Sequence, residues 1–211
     1  MFYDDVQYDK HGWRNRNRVK TANGTIWLTI PVRARGNVVE STRINEIRCA
    51  SKEWGRKHWA TLRQSYGRAP HFERYAPLFE EFYSRQEDRL AELTIDLTRR
   101  LAHELGIERT RFVRSSEFAG IEGTATDRLI ALMRAVGADH FISGPTARAY
   151  IDEAKLALAR VTLEYMRYEY PEYEQLHPPY DAQVSVLDLL FMRGAGAGEL
   201  IWGRHAAEAT A

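Results

Sequence analysis

Residues 19–31 have the sequence VKTANGTIWLTIP, which predicts a β-hairpin near the start of the chain. Asn23-Gly24 is the residue pair that most favours a tight hairpin turn. The residues after it, Thr25 to Ile30, are mostly β-branched or aromatic, as in a strand, and Pro31 ends that strand because it has no backbone N–H to donate. Residues 1–50 are therefore predicted to be β-rich, with further strands at Phe2–Tyr8 and Ile44–Cys49.

Beyond residue 50 the apolar side chains follow the period of a helix. One predicted helix follows Ser51 and places apolar residues and one histidine on one face: Trp54, His58, Leu62 and Tyr66. From residue 88 to residue 165, predicted helices alternate with predicted strands at Arg111–Ser115, His140–Ile142 and Val161–Tyr165, an alternation typical of parallel sheets. The sequence predicts an α/β fold, a mostly parallel sheet with flanking helices and a β-hairpin-rich N-terminal part, in a single domain over residues 1–211.

The charge of the chain is unevenly distributed. Its 211 residues carry a formal net charge of +1, but residues 1–68 contain 14 Lys and Arg against 6 Asp and Glu. The rest of the chain is acidic by a similar margin. The first third of the chain is thus predicted to bind an anionic ligand.

Several classes of protein are excluded by what the sequence lacks. The single cysteine, Cys49, excludes a disulfide framework and a Cys-based zinc site. No apolar run has the length of a membrane span, no signal peptide is visible, and the serine-hydrolase elbow and Walker motifs are absent. These absences predict a cytoplasmic protein that uses no cofactor and no metal and has no membrane partner.

The densest cluster of candidate ligand-binding residues precedes the hairpin. Trp13-Arg14-Asn15-Arg16-Asn17-Arg18 alternates guanidiniums with amides, and Lys20 follows. Arginine forks suit phosphate or carboxylate, and the indole adds a stacking face. We expect Trp13, Arg14, Arg16, Asn17 and Lys20 to bind substrate; the structural alternative is a solvated loop whose arginines pair with Asp4 and Asp5.

Candidate acid–base residues lie on both sides of this cluster. Asp4 and Asp5 are adjacent, and on a strand they would point to opposite faces, so one would bind a ligand while the other pairs with the arginines. His58, beside Lys57, is a candidate general base or a hydrogen-bonded core histidine. Late in the chain, Ser185 and Asp188 are predicted to cap a helix, with catalysis as the alternative.

Taken together, these motifs resemble the WbqC-like proteins, bacterial proteins found among genes for O-antigen and related glycan assembly. The resemblance covers nearly the whole chain. It is carried by Asp4–Tyr8, Gly12–Lys20, Trp27–Val32, Trp54–His58, Tyr66–Pro70, Ser115–Glu117, Tyr150, Tyr173–Gln175 and Ser185–Leu190. Family members usually begin earlier, with an apolar strand and a His-Gln-Pro-x-Tyr-type loop that this sequence does not show.

The resemblance implies transfer of an aminoacyl group, glycyl in particular, or of a related acyl group, to an amino sugar or similar small amine. It implies Asp5, His58 and Asn15 as catalytic residues. It implies these substrate-binding residues: Asp4, Gln7, Trp13, Arg14, Arg16, Asn17, Lys20, Lys57, Ser116, Tyr173 and Gln175. The expected partner is a phosphate-bearing small molecule, a nucleotide sugar or an activated amino acid. Two alternatives stay open: a non-catalytic partner of a glycan-assembly complex, and a module that contacts an aminoacyl-tRNA.

Overall fold

The structure, a computed structural model, describes residues 1–9, 12–33, 42–85, 87–169 and 171–202. The chain forms two compact units, one made of Met1–Tyr3 and Val113–Tyr170 and the other of Asp4–Phe112 and Pro171–Ala211. Helices and strands are mixed, as predicted. That the whole chain acts as one domain stays a prediction.

Seven α-helices and four strands fall within the described residues. The helices are α1 (Glu53–Tyr66), α2 (Phe72–Ser84), α3 (Leu90–Glu104), α4 (Ala125–Val136), α5 (Glu153–Leu158), α6 (Val186–Arg193) and α7 (Ala197–Trp202). The strands are β1 (Arg16–Thr21), β2 (Gly24–Thr29), β3 (His140–Ser143) and β4 (Thr162–Tyr165).

The predicted β-hairpin is confirmed. Strands β1 and β2 pair antiparallel, with Thr21 opposite Gly24 and Arg18 opposite Trp27. Ala22 and Asn23 therefore form the two-residue loop, one position earlier than the predicted turn. Gly24 follows at φ +103°, a backbone conformation that glycine adopts without steric cost.

The core of the larger unit lies between β1, α1, α2 and α6. Phe191 of α6 is fully buried and contacts the rings of Tyr66, Phe72 and Phe79. Helices α1 and α2 approach closely at Gly55, where a Cβ would stand 2.3 Å from the carbonyl oxygen of Tyr83. Glycine is therefore required there for the two helices to pack.

The smaller unit contains the parallel pair of strands. Strands β3 and β4 pair in parallel, and α5 lies between them in the chain, as the predicted β-α-β alternation requires. Apolar side chains of α4, α5 and the segment before β4 form its core: Ile130, Met133, Leu156 and Val161. Helix α4 ends at Val136, and Gly137 follows it with φ +71°.

The prediction of a mostly parallel sheet is confirmed only for this pair, because the described strands form two separate two-stranded sheets, one antiparallel and one parallel. Three predicted strands are wrong. Phe2–Tyr8 makes only isolated bridges, at Phe2 and Gln7. Ile44–Cys49 begins with a 3-10 turn at Ile44–Glu46, and Arg111–Ser115 leads into another at Ser115–Glu117. The bridges along these segments are isolated ones, so no strand ladder extends along them.

Within the described ranges, none of the helices combines the length and the apolar character needed to cross a lipid bilayer.

Candidate functional site

Five polar side chains of the larger unit form a buried hydrogen-bond network, here called the Lys20 network: Lys20, Tyr66, Tyr173, Gln175 and Asp188. They come from β1, α1, the segment after residue 171, and α6. The structure thus brings together three predicted substrate-binding residues, Lys20, Tyr173 and Gln175, which lie at opposite ends of the sequence.

Lys20 is the cation of this network and is only 4% exposed. Its Nζ donates to Gln175 Oε1 at 2.5 Å and to the carbonyl oxygen of Pro179. Its backbone N–H donates to Tyr66 Oη at 2.8 Å. A buried ammonium is costly unless its hydrogen atoms are accepted, and two protein oxygens accept them here. Lys20 is therefore engaged in holding β1 against the C-terminal segment.

Asp188 is the anion of the same network and is 1% exposed. Tyr66 Oη donates to its Oδ2 at 3.0 Å, and Tyr173 Oη donates to its Oδ1 at 2.8 Å. Burial raises the pKa of Asp188, against hydrogen bonds from Tyr173 and Tyr66 that lower it. Burial also raises the pKa of both tyrosines, so their hydroxyls keep their protons and donate.

Ser185 caps α6, as predicted, because its side chain accepts a hydrogen bond from the backbone N–H of Leu187. The predicted capping role of Asp188 is wrong, since its two carboxylate oxygens accept from the tyrosines instead. The carboxylate of Asp188 thus ties α6 to α1 and to the segment that carries Tyr173.

A second set of contacts fastens the middle of β1 to the same segment. Arg18 forms an ion pair with Asp181 at 3.0 Å and donates to Gln183 Oε1. Thr25, on β2, also donates to Asp181. The pKa of Asp181 lies below its ordinary value, chiefly because the backbone N–H of Gln183 donates to its carboxylate. Burial opposes this shift, and the side chains of Thr25 and Arg18 add to it. Arg18 therefore has an internal carboxylate to neutralise it.

The other end of the hairpin carries a set of side chains here called the Trp–Arg face: Trp13, Arg14, Arg16 and Trp27. Trp13 is 61% exposed and Trp27 is 44% exposed, with their ring centroids 4.8 Å apart. The guanidinium carbon of Arg16 lies 4.6 Å from the centroid of the Trp27 ring. Arg14 forms an ion pair with Asp9 at 3.5 Å, with both side chains well exposed. This face unites indole surface and positive charge.

The two asparagines of the predicted motif are placed differently. Asn15 is buried and donates from Nδ2 to the carbonyl oxygen of Ile30 at 3.0 Å. Its Oδ1 has no hydrogen-bond partner among the described residues. Asn17 is exposed, and its side chain accepts from the backbone N–H of Arg18. Asn15 therefore supports the base of the hairpin, while the side chain of Asn17 contacts the adjacent backbone of β1.

His58 lies on α1 beneath the hairpin. Its ring is packed edge-on against Trp54 and Tyr83, at centroid distances of 5.3 and 6.0 Å. Burial lowers the pKa of His58, and a hydrogen bond with the Thr29 backbone raises it in part. The ring is thus predominantly neutral near pH 7. The neighbouring Lys57 is exposed.

The remaining predicted residues lie outside the Lys20 network and the Trp–Arg face. Asp4 is buried, Asp5 is half-buried and Gln7 is exposed, along a segment bonded to residues 42–45. Ser116 belongs to the 3-10 turn of the smaller unit. Their roles in binding or catalysis stay predictions. No group of three or more His, Cys, Asp or Glu side chains in the described ranges is arranged to hold a metal ion.

Tyr66, Asp181 and Trp27 contribute to these contacts but were not predicted to bind or react. For Asp188, catalysis was only the alternative to a helix cap. Their signal in the sequence is weak, because Tyr66 and Trp27 also fit the apolar patterns of a helix and a strand. Asp188 fits a helix cap equally well. Only the fold shows that their side chains converge.

Comparisons with known proteins agree with this arrangement of motifs. A family model described as the WbqC-like protein family matches residues 1–199. A Mycobacterium tuberculosis protein described as "Uncharacterized protein Rv1507c" is 35% identical over 203 residues, which span 95% of this chain and 86% of that protein. No solved structure matches the chain at a significant level.

Proposed function

The chain belongs to the WbqC-like protein family, and from that premise we propose that it is a transferase. It passes an aminoacyl group, glycyl in particular, or a related acyl group to a small amine such as an amino sugar. The proposed substrate carries phosphate and binds at the Trp–Arg face of the hairpin.

One observation carries this proposal: the cations of residues 14–20 divide into two pairs. Arg18 and Lys20 are neutralised or solvated by Asp181, Gln175 and the Pro179 carbonyl. Arg14 and Arg16 lie at the other end, where the ion pair of Arg14 is exposed and long. Exposed pairs contribute little free energy, so an anionic ligand exchanges for Asp9 at small cost.

The Lys20 network supports the proposal by fixing the geometry of the hairpin. It anchors β1 through both the backbone and the side chain of Lys20. A strand held in this way presents Arg16 from a preordered position, with Arg14 two positions before it, and less conformational entropy is then lost when a ligand binds.

The proposed chemistry is attack of an amine on an activated carbonyl carbon. A C–N bond forms, the bond to the leaving group breaks, and the nitrogen gives up one proton to a base. His58 is neutral near pH 7 and Asp5 is half-buried, so both are kept as candidate bases. Asn15 is kept as the candidate that steadies the tetrahedral oxyanion.

The test is formation of product by purified protein. A nucleotide-linked amino sugar is incubated with glycyl thioester, glycyl adenylate or glycyl-tRNA, and the reaction is followed by mass spectrometry. The proposal expects an N-glycyl product with one of the donors, and loss of that product in Arg16→Ala. If folded protein forms no N-acyl product with any donor or amine acceptor, the proposal is wrong and a non-catalytic role is favoured.

A further inference from the structure

The indole of Trp13 is largely exposed and yet is held in place. It is 61% exposed, and its ring stands 4.8 Å from that of Trp27 with the two planes tilted by 53°. Trp27 also contacts the guanidinium of Arg16. A single exposed apolar side chain is ordinary, but two adjoining exposed indoles beside a cation form a patch that needs a physical explanation.

The backbone beneath these rings is well fixed. Trp27 lies on β2, which pairs with β1 from Arg16–Thr29 to Thr21–Gly24. β1 is in turn tied down by the Arg18–Asp181 ion pair and by the buried Lys20. The backbone N–H of Ile30, just after β2, donates to the carbonyl oxygen of Asn15 at 2.8 Å, close to Trp13 in the chain. The indoles therefore stand on a rigid support.

Indole rings next to guanidinium groups suit a particular kind of ligand. The π-face of an aromatic side chain stacks on a nucleobase with little regard to base identity, and arginine binds phosphate through its planar fork. The guanidinium of Arg16 lies against the Trp27 ring, so positive charge borders the ring pair, and Arg14 directly follows Trp13 in the chain. A ligand that joins a flat base to phosphates matches both features at once.

We propose that Trp13 and Trp27 stack the base of a nucleotide whose phosphates lie against Arg14 and Arg16. This inference takes from the proposed function only the location of the substrate-binding site. It adds that the phosphate-bearing substrate is linked to a nucleotide. A base joined to phosphate occurs both in free nucleotides and in RNA. We assign the ligand as a free nucleotide.

The test compares ligands with and without a base. Binding of uridine, cytidine, adenosine, guanosine and thymidine 5′-diphosphates is measured by calorimetry against inorganic pyrophosphate, which offers the same phosphates alone. In the unaltered protein we expect at least one nucleotide to bind about tenfold or more tightly than pyrophosphate, the scale of one base–aromatic stack. Trp13→Ala should abolish this preference, and Trp13→Phe should keep most of it.

Trp202→Ala is the matched control. Trp202 is another half-exposed indole, on α7, and its loss should leave the preference for nucleotides unchanged. Because Trp13 is so exposed, Trp13→Ala should unfold at the temperature of the unaltered protein, which circular dichroism checks.

Three outcomes would overturn the inference: no nucleotide preferred over pyrophosphate, a preference that survives in Trp13→Ala, or single-stranded RNA that binds far more tightly than any mononucleotide. These binding results do not depend on acyl transfer. Base-dependent binding without any N-acyl product would refute the proposed function and support this inference. Acyl transfer without a preference for nucleotides over pyrophosphate would support the proposed function and refute this inference.

Discussion

Tyr66 Oη donates a hydrogen bond to Asp188 Oδ2 at 3.0 Å, although 122 positions separate the two residues in the chain. The same oxygen accepts from the backbone N–H of Lys20 at 2.8 Å. One phenol thus joins α1, α6 and β1, and the buried end of the hairpin depends on it.

We expect Tyr66→Phe to lower the free energy of unfolding by about 1–3 kcal/mol, because it leaves two buried polar groups without their partner. Tyr75→Phe is the matched control, since the hydroxyl of Tyr75 is also buried but has no hydrogen-bond partner among the described residues. Its removal should be neutral or slightly stabilising. Urea denaturation checks both, and equal effects would contradict the role assigned to Tyr66.

Asp188 should make stability depend on pH. Burial raises its pKa in the folded protein above the ordinary value of 3.8, so the folded state binds the proton more tightly than the unfolded state. The stabilisation from this proton is complete below pH 3.8, and it is lost as the pH rises through the pKa that Asp188 has in the folded protein.

Urea denaturation of the unaltered protein and of Asp188→Asn from about pH 4 to about pH 7 measures this dependence. The stability of the unaltered protein relative to Asp188→Asn should decrease with rising pH. A relative stability that increases over that range would show that the folded pKa of Asp188 is lowered instead.

Cys49 should be unreactive in the folded protein. Burial, followed by the charges of Asp88 and Glu87, raises the pKa of its thiol to about 11. At about pH 8 only about one molecule in a thousand then carries the reactive thiolate, and the side chain is also buried. Labelling with iodoacetamide should be negligible until denaturant is added, and rapid labelling of folded protein would contradict this placement.

Gly55 should tolerate no side chain. A Cβ there would stand 2.3 Å from the carbonyl oxygen of Tyr83, so Gly55→Ala must push α1 away from α2, and we expect it to cost about 1–3 kcal/mol. Gly144→Ala is the control, because Gly144 has φ −70° and a Cβ there would have no atom within 4 Å beyond its chain neighbours. Thermal unfolding compares the two; similar melting temperatures would disprove the close approach.

The local features of the fold could be predicted from the sequence. The Asn23-Gly24 pair predicts the hairpin, the side chain of Ser185 caps α6, and Gly137 follows the end of α4. Each of these depends on residues a few positions apart. Phe2–Tyr8 and Ile44–Cys49 have strand-like composition, but a strand needs a continuous partner, which composition alone does not provide.

The candidate site could be predicted only in part, because its contacts are long-range. Lys20, Tyr173 and Gln175 are conspicuous as residues, but nothing in the sequence places Gln175 against Lys20, 155 positions away. The sequence also gives Arg14, Arg16 and Lys20 one common role in binding substrate. The contacts of Arg18 with Asp181 and of Lys20 with Gln175 separate the two cations that hold the strand from Arg14 and Arg16 at its other end.

The central claim is that the Trp–Arg face binds a phosphate-bearing small molecule, and calorimetric titration with a nucleotide-linked amino sugar tests it most directly. The double variant Arg14→Gln/Arg16→Gln is compared with Arg56→Gln/Arg63→Gln, which removes the same charge from two exposed arginines of α1. We predict that the first variant binds about tenfold or more weakly than the unaltered protein and that the second binds nearly as well. Equal affinity of the two variants, or no binding by the unaltered protein, would contradict the claim.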